Sequence, residues 1–160
     1  MQSLIQEGNM PYGQAKQILG YARQFHHFAS DYFKKLSDSS AEPRIKMLLD
    51  YMSRHEEHLE EVLKDYEAST KNKAMEAWFQ FSNECSTFKP VKNIAYTDDL
   101  TPEKVFEIAA QIDQCMIDSY NTVISRTSNP EVRELFENLL ELEEQEKHVR
   151  ARTALGLLDM

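Results

Sequence analysis

Asp113 is the residue of this chain that most needs a chemical explanation. It falls on one helical face with Ala109, Met116 and Tyr120, and a carboxylate carried into a core without a partner costs several kcal/mol. His26 and His55 also fall on apolar stripes. An imidazole in that position is ordinarily a hydrogen-bonded core residue, and His26, from across the core, is the expected partner for Asp113. His58 sits among Glu57, Glu60 and Glu61, while His148 lies beside Glu141 and Glu144 and reads as solvated. Glu143 and Glu146 have Arg150 within helical reach, and an i to i+4 ion pair accounts for Glu146. The run from Glu56 to Glu61 reads mostly as a solvated face.

These side chains must be carried by helices. Four segments repeat their apolar residues with a 3.6-residue period. The first spans about Tyr12 to Ser37, with Ile18, Leu19, Ala22, Phe25, Ala29, Tyr32, Phe33 and Leu36 on its stripe. The second spans about Pro43 to Ser69, with Ile45, Leu48, Leu49, Met52, Leu59, Val62, Leu63 and Tyr66. Thr101-Pro102-Glu103 opens the third with a capping hydroxyl, a proline at the first helical position and an acid in the first turn. Asn129-Pro130-Glu131 opens the fourth, whose stripe takes Val132, Leu135, Phe136, Leu139, Leu142 and Val149 and which ends near Gly156.

Between the second and third helices lies a stretch of about 30 residues, long for a loop inside a compact domain. It is expected to hold a short helix around Ala74 to Phe81. Its aromatic residues Trp78, Phe79 and Phe81 would cover the bundle or meet a second subunit. The short connections on either side make helices one and two antiparallel neighbours, and likewise three and four.

At 160 residues the chain fits one domain, residues 1–160, and can bury its own core without a disulfide or structural metal. Hairpin one takes 12–69, the crossover 70–100 and hairpin two 101–157. The net charge of -9 argues against nucleic acid or an anionic membrane as a partner. There is neither an apolar run long enough to span a bilayer nor a secretory pattern at the N-terminus, and Cys85 and Cys115 form no metal or redox spacing. A cytoplasmic protein with reduced thiols is the simple expectation. Phosphate-binding glycine loops and the G-x-S-x-G nucleophile elbow are absent from the sequence.

The two hairpins resemble each other at an offset of 87 residues. Ala22 meets Ala109, Gln24 meets Gln111, Asp31 meets Asp118, Pro43 meets Pro130, Leu48 meets Leu135, and Glu56-Glu57 meets Glu143-Glu144. The match needs no gap, and a shared hydrophobic rhythm alone would not align the two prolines. A duplicated hairpin with a long crossover resembles the ferritin-like superfamily, particularly its rubrerythrin-like branch. Ile112-Asp113 through Tyr120 to Ser128-Asn129-Pro130-Glu131-Val132 looks like that branch's second hairpin. The resemblance covers nearly the whole chain after Pro11.

It implies an all-α, ferritin-like four-helix bundle of two repeated hairpins. It also implies a di-metal site in which two helices each give a Glu and the other two each give Glu-x-x-His. Seven residues before Phe33, the position of the first glutamate holds His26, and the same spacing from Tyr120 gives Asp113. Helix two offers Glu56 with Leu59 three residues on, and helix four offers Glu143 with Glu146 three residues on. Neither Glu-x-x-His is present in that register. A shifted register gives His55-x-x-His58 opposite Leu142-x-x-Gln145. The metal candidates are therefore His26, His55, Glu56, His58, Asp113, Glu143 and Glu146, and the resemblance points to iron or manganese.

The first functional expectation is a ferritin-like protein with a lost or reshaped di-metal site, a binding or structural module working as a homodimer. The alternative is a di-iron or di-manganese oxidase or peroxide-handling protein that draws electrons from a redox partner, since it has no rubredoxin-like Cys pair. A third reading is a helical adaptor whose acidic faces meet a basic protein. Whether the chain is an enzyme is left open by these residues.

Overall fold

In a computed structural model of the chain, residues 12–69, 76, 78–80 and 100–160 are described. Four long helices carry the architecture: α1 (Ala15–Ser39), α2 (Pro43–Ser69), α3 (Pro102–Arg126) and α4 (Pro130–Leu158). α1 packs chiefly on α2 and α3 on α4, and α2 also reaches α3 and α4. The antiparallel pairs close on one core in which Leu19, Phe33, Leu48, Leu49, Tyr120 and Phe136 are almost wholly hidden.

Local chemistry sets the helix ends. Thr101 Oγ1 accepts from the Lys104 backbone N–H at 3.2 Å, and Asn129 Oδ1 accepts from the N–H groups of Glu131 and Val132. Both caps stand before a proline, which needs no partner for its missing N–H. Glu42 plays the same part at α2, accepting from the N–H groups of Arg44 and Ile45. Where α1 and α2 come close, side chains are small. Ser53 Oγ donates to the Ser30 carbonyl at 2.9 Å, so a polar contact is satisfied inside the packed face.

Three expectations are corrected. Tyr12 does not begin a helix: Tyr12–Gln14 forms a short strand, β1, paired antiparallel with β2 (Trp78–Gln80). The Gln14 backbone N–H donates to Gln17 Oε1 at 2.8 Å, and its side-chain amide donates to the Glu76 carbonyl, so the helix starts after Gln14. The short helix expected over 74–81 gives way at 78–80 to β2, since pairing with β1 satisfies backbone groups there; Glu76 is helical. Positions 74, 75, 77 and 81 lie outside the described residues, as do the side chains of Trp78 and Phe79, so the aromatic cover falls there too. The expected reduced state of Cys115 is also corrected, because this cysteine on α3 is disulfide-bonded. Cys85 lies outside the described residues.

The stripes hold with one instructive exception. On α4 Val149 is exposed and Arg150 is buried in its stead. Arg150 lies seven residues after Glu143 and fourteen after Phe136, on the face that continues Val132, Phe136, Leu139 and Glu143 inward.

Candidate functional site

Five residues build a polar layer inside this apolar bundle. α1 supplies His26, α2 supplies Glu56, α3 supplies Asp113, and α4 supplies Glu143 and Arg150. All four helices therefore contribute. Glu56 is 1% exposed and His26 2% exposed, so charge here is out of reach of bulk water.

His26 stands between two carboxylates. Its Nδ1 lies 2.7 Å from Glu56 Oε1 and its Nε2 3.2 Å from Glu143 Oε2. Only the imidazolium carries a proton on both ring nitrogens and so donates to both acids at once. Burial alone would lower the pKa of this ring, but the charges and hydrogen bonds of Glu143 and Glu56 outweigh it and hold His26 well above the usual histidine value.

Asp113 is answered by Arg150. Arg150 Nη1 donates to Asp113 Oδ1 at 2.9 Å and Nη2 donates to Oδ2 at 2.6 Å, a two-pronged pairing of fork and carboxylate. Burial pushes the Asp113 carboxyl up, and the guanidinium pulls it partly back. Burial also acts against the Arg150 charge, yet Asp113, joined by Glu56 and Tyr51, more than compensates and the guanidinium pKa rises. The two arrangements form one cluster, because the charge of Glu56 acts on both Asp113 and Arg150.

The remaining candidates separate from this layer. His58 is exposed on α2, and its Nε2 lies 3.4 Å from Glu146 Oε1 at the rim. His55 is buried, and its Nε2 has no hydrogen-bond partner. Burial first, then the neighbouring charges of Arg150, His58 and His26, lower its pKa to about 3, so the ring is neutral. The Tyr120 hydroxyl is likewise buried without a partner, and its ring packs at 5.9 Å from Phe136. His148 is exposed.

Two expected pairings are therefore corrected. His26 does not answer Asp113; it answers Glu56 and Glu143, which approach it from α2 and α4. Arg150 does not answer Glu146; it turns inward, where the desolvated Asp113 rewards a charged hydrogen bond far more than a surface carboxylate does. Sequence reasoning missed Arg150 as a core residue. The signal was present in its sevenfold step from Glu143 and in its offset of 87 from Leu63, itself buried.

A di-metal centre asks for open carboxylate and imidazole donors converging on a shared space. Most of the donors here are already engaged. His26 occupies the interval between Glu56 and Glu143, and both oxygens of Asp113 are taken by the guanidinium. Among the described residues no group of three or more His, Cys, Asp or Glu side chains is arranged to hold a metal ion. The residue set does not fit the di-metal group that the resemblance implies.

No known protein-family profile matches the chain, and no curated protein matches it in sequence. Among solved structures it is similar to a putative ferritin-like diiron-carboxylate protein from Thermotoga maritima. The TM-score is 0.56 at 13% identity, over 91% of this chain and 97% of that one. At that identity the likeness speaks for the fold alone. No described helix is long and apolar enough to cross a membrane. The chain is an all-α four-helix bundle of ferritin-like fold.

Proposed function

We propose that this protein is a ferritin-like bundle whose di-metal site has been replaced by an internal salt-bridge network, and that it serves as a binding or structural module. One observation carries the reading: the imidazole of His26 lies within hydrogen-bonding distance of both Glu56 and Glu143, so both of its nitrogens face carboxylates of the protein itself. The bidentate pairing of Arg150 with Asp113 supports it. The network links α1 to α2 and α4, and α3 to α4, so its role is to fix the four helices to one another. The bundle's outer faces are then free to do the binding, and a second copy of the chain is the partner we propose for them. The offset of 87 residues supports an origin by duplication of one hairpin, after which the two halves diverged at His26 and Asp113.

The test is metal content. Protein purified without chelator and then incubated anaerobically with ferrous iron should carry only trace metal by elemental analysis. About two ions per chain, the stoichiometry of a two-metal site, would instead establish the oxidase or peroxide-handling alternative as the better reading.

A further inference from the structure

We propose that His26 and Arg150 are the residues that close this core to divalent cations, each engaging by hydrogen bonds the carboxylates that would otherwise gather a metal ion. This rests on the reading of the network as metal-free. Three carboxylates, on Glu56, Asp113 and Glu143, are drawn from three different helices into one buried layer. Oxygen donors of this kind suit manganese and other hard divalent ions. Among the described residues, two nitrogen-bearing side chains hydrogen-bond to them. His26 lies 2.7 Å from Glu56 and 3.2 Å from Glu143, and the Arg150 fork lies 2.9 and 2.6 Å from the two oxygens of Asp113. An incoming dication would have to displace a hydrogen-bonded cation and share a low-dielectric space with it, where like charges repel strongly.

A second observation points to a ligand once those charges are gone. His55, next to Glu56 in the chain, is 6% exposed and its Nε2 is unpartnered. A neutral imidazole nitrogen that satisfies no protein group is a donor in reserve. His55 directly precedes Glu56 on α2 and both are buried, which places it beside the same layer.

The charge count makes the exclusion reversible by design. Replacing the His26 imidazole by a fourth carboxylate, and Arg150 by the leucine that stands at the buried position 63, leaves four acids and no internal cation. Two divalent ions would balance that charge. The His26→Glu/Arg150→Leu chain should therefore bind about two Mn2+ per chain, at least about 100-fold more tightly than the natural protein, and should unfold at a higher temperature with Mn2+ than without. Adding Glu56→Gln to that chain should weaken binding again, which locates the ions in the core.

Isothermal titration with Mn2+ and thermal unfolding in its presence and absence are the measurements. A folded double variant that takes up no Mn2+ overturns the proposal while leaving the metal-free reading of the natural protein intact. Tight Mn2+ binding by the natural chain overturns both. Should the double variant stay unfolded with and without Mn2+, the His26→Gln/Arg150→Leu chain, which adds no charge, decides: binding supports the proposal and its absence overturns it.

Discussion

The two halves of the polar layer solve the same problem by different chemistry. Around His26, two carboxylates share one titratable cation, and the ring is almost completely enclosed. Around Asp113, one carboxylate meets a guanidinium that keeps its charge at every accessible pH, with side-chain exposures of 11% and 8%. The first arrangement ties three helices together through a proton; the second ties two through a permanent charge. The difference teaches that the α1–α2–α4 linkage weakens as pH rises and His26 loses its proton, whereas the α3–α4 linkage weakens only when Asp113 is protonated at low pH.

The largest blow to this comparison should come from His26→Ala. It leaves Glu56 and Glu143 buried without their cation, and breaking a buried pair in this way destabilises by about 3–5 kcal/mol. Chemical denaturation should place it at the upper end of that range, because two acids lose their partner. Arg150→Ala strands a single carboxylate and should lose about 3 kcal/mol by the same measurement. Removing both partners in Asp113→Leu/Arg150→Leu should restore stability to within about 1 kcal/mol of the natural protein, since a packed apolar pair has no uncompensated charge. If the double replacement were as unstable as Arg150→Ala, the loss would lie in packing and not in the ion pair.

The pH dependence sharpens the contrast further. Burial acts to lower the His26 pKa, but Glu143 and Glu56 raise it well above its unfolded value of about 6.5. Folding therefore takes up a proton at this ring. Its contribution is complete below about pH 6.5 and is lost as pH rises through the raised folded value. His55 works in the opposite sense. Its folded pKa of about 3 lies below the unfolded value, so its contribution is present above about pH 6.5 and fades as pH falls toward 3. Denaturation midpoints measured across this range should fall on the alkaline side in the natural protein, and His26→Gln should flatten that alkaline limb while the limb governed by His55 persists.

The smallest effect belongs to the rim. His58 and Glu146 meet at 3.4 Å with the imidazole 56% exposed, so His58→Ala should shift stability by no more than about 0.5 kcal/mol. A larger loss would mean that the polar layer extends outward along α2.

Much of this was legible in the residues. Buried positions such as Leu19, Phe33, Leu48 and Met116 follow from helical periodicity, because burial is the one demand placed on an apolar stripe. Thr101 and Asn129 announced their helices by local hydrogen bonding, which needs no tertiary information. The polar layer was legible as to membership but not as to pairing. His26, Glu56, Asp113 and Glu143 could be named from register, yet which acid meets which cation is decided by distances between helices. Arg150 was hidden for the same reason. A long charged side chain beside Val149 reads as solvated until the inward face of α4 is fixed by Phe136, Leu139 and Glu143. The β1–β2 pairing joins segments more than sixty residues apart, and three-residue strands leave no periodicity to read.

The central claim is that a protein-borne cation holds Glu56 and Glu143 together. Nitrogen-detected NMR of the histidine rings at about pH 7.5 tests it directly, because the signals distinguish imidazolium from either neutral tautomer. The account predicts that His26 retains protons on both ring nitrogens at that pH, each in a hydrogen bond, and that His55 is neutral. A neutral His26 with a single ring N–H would contradict it.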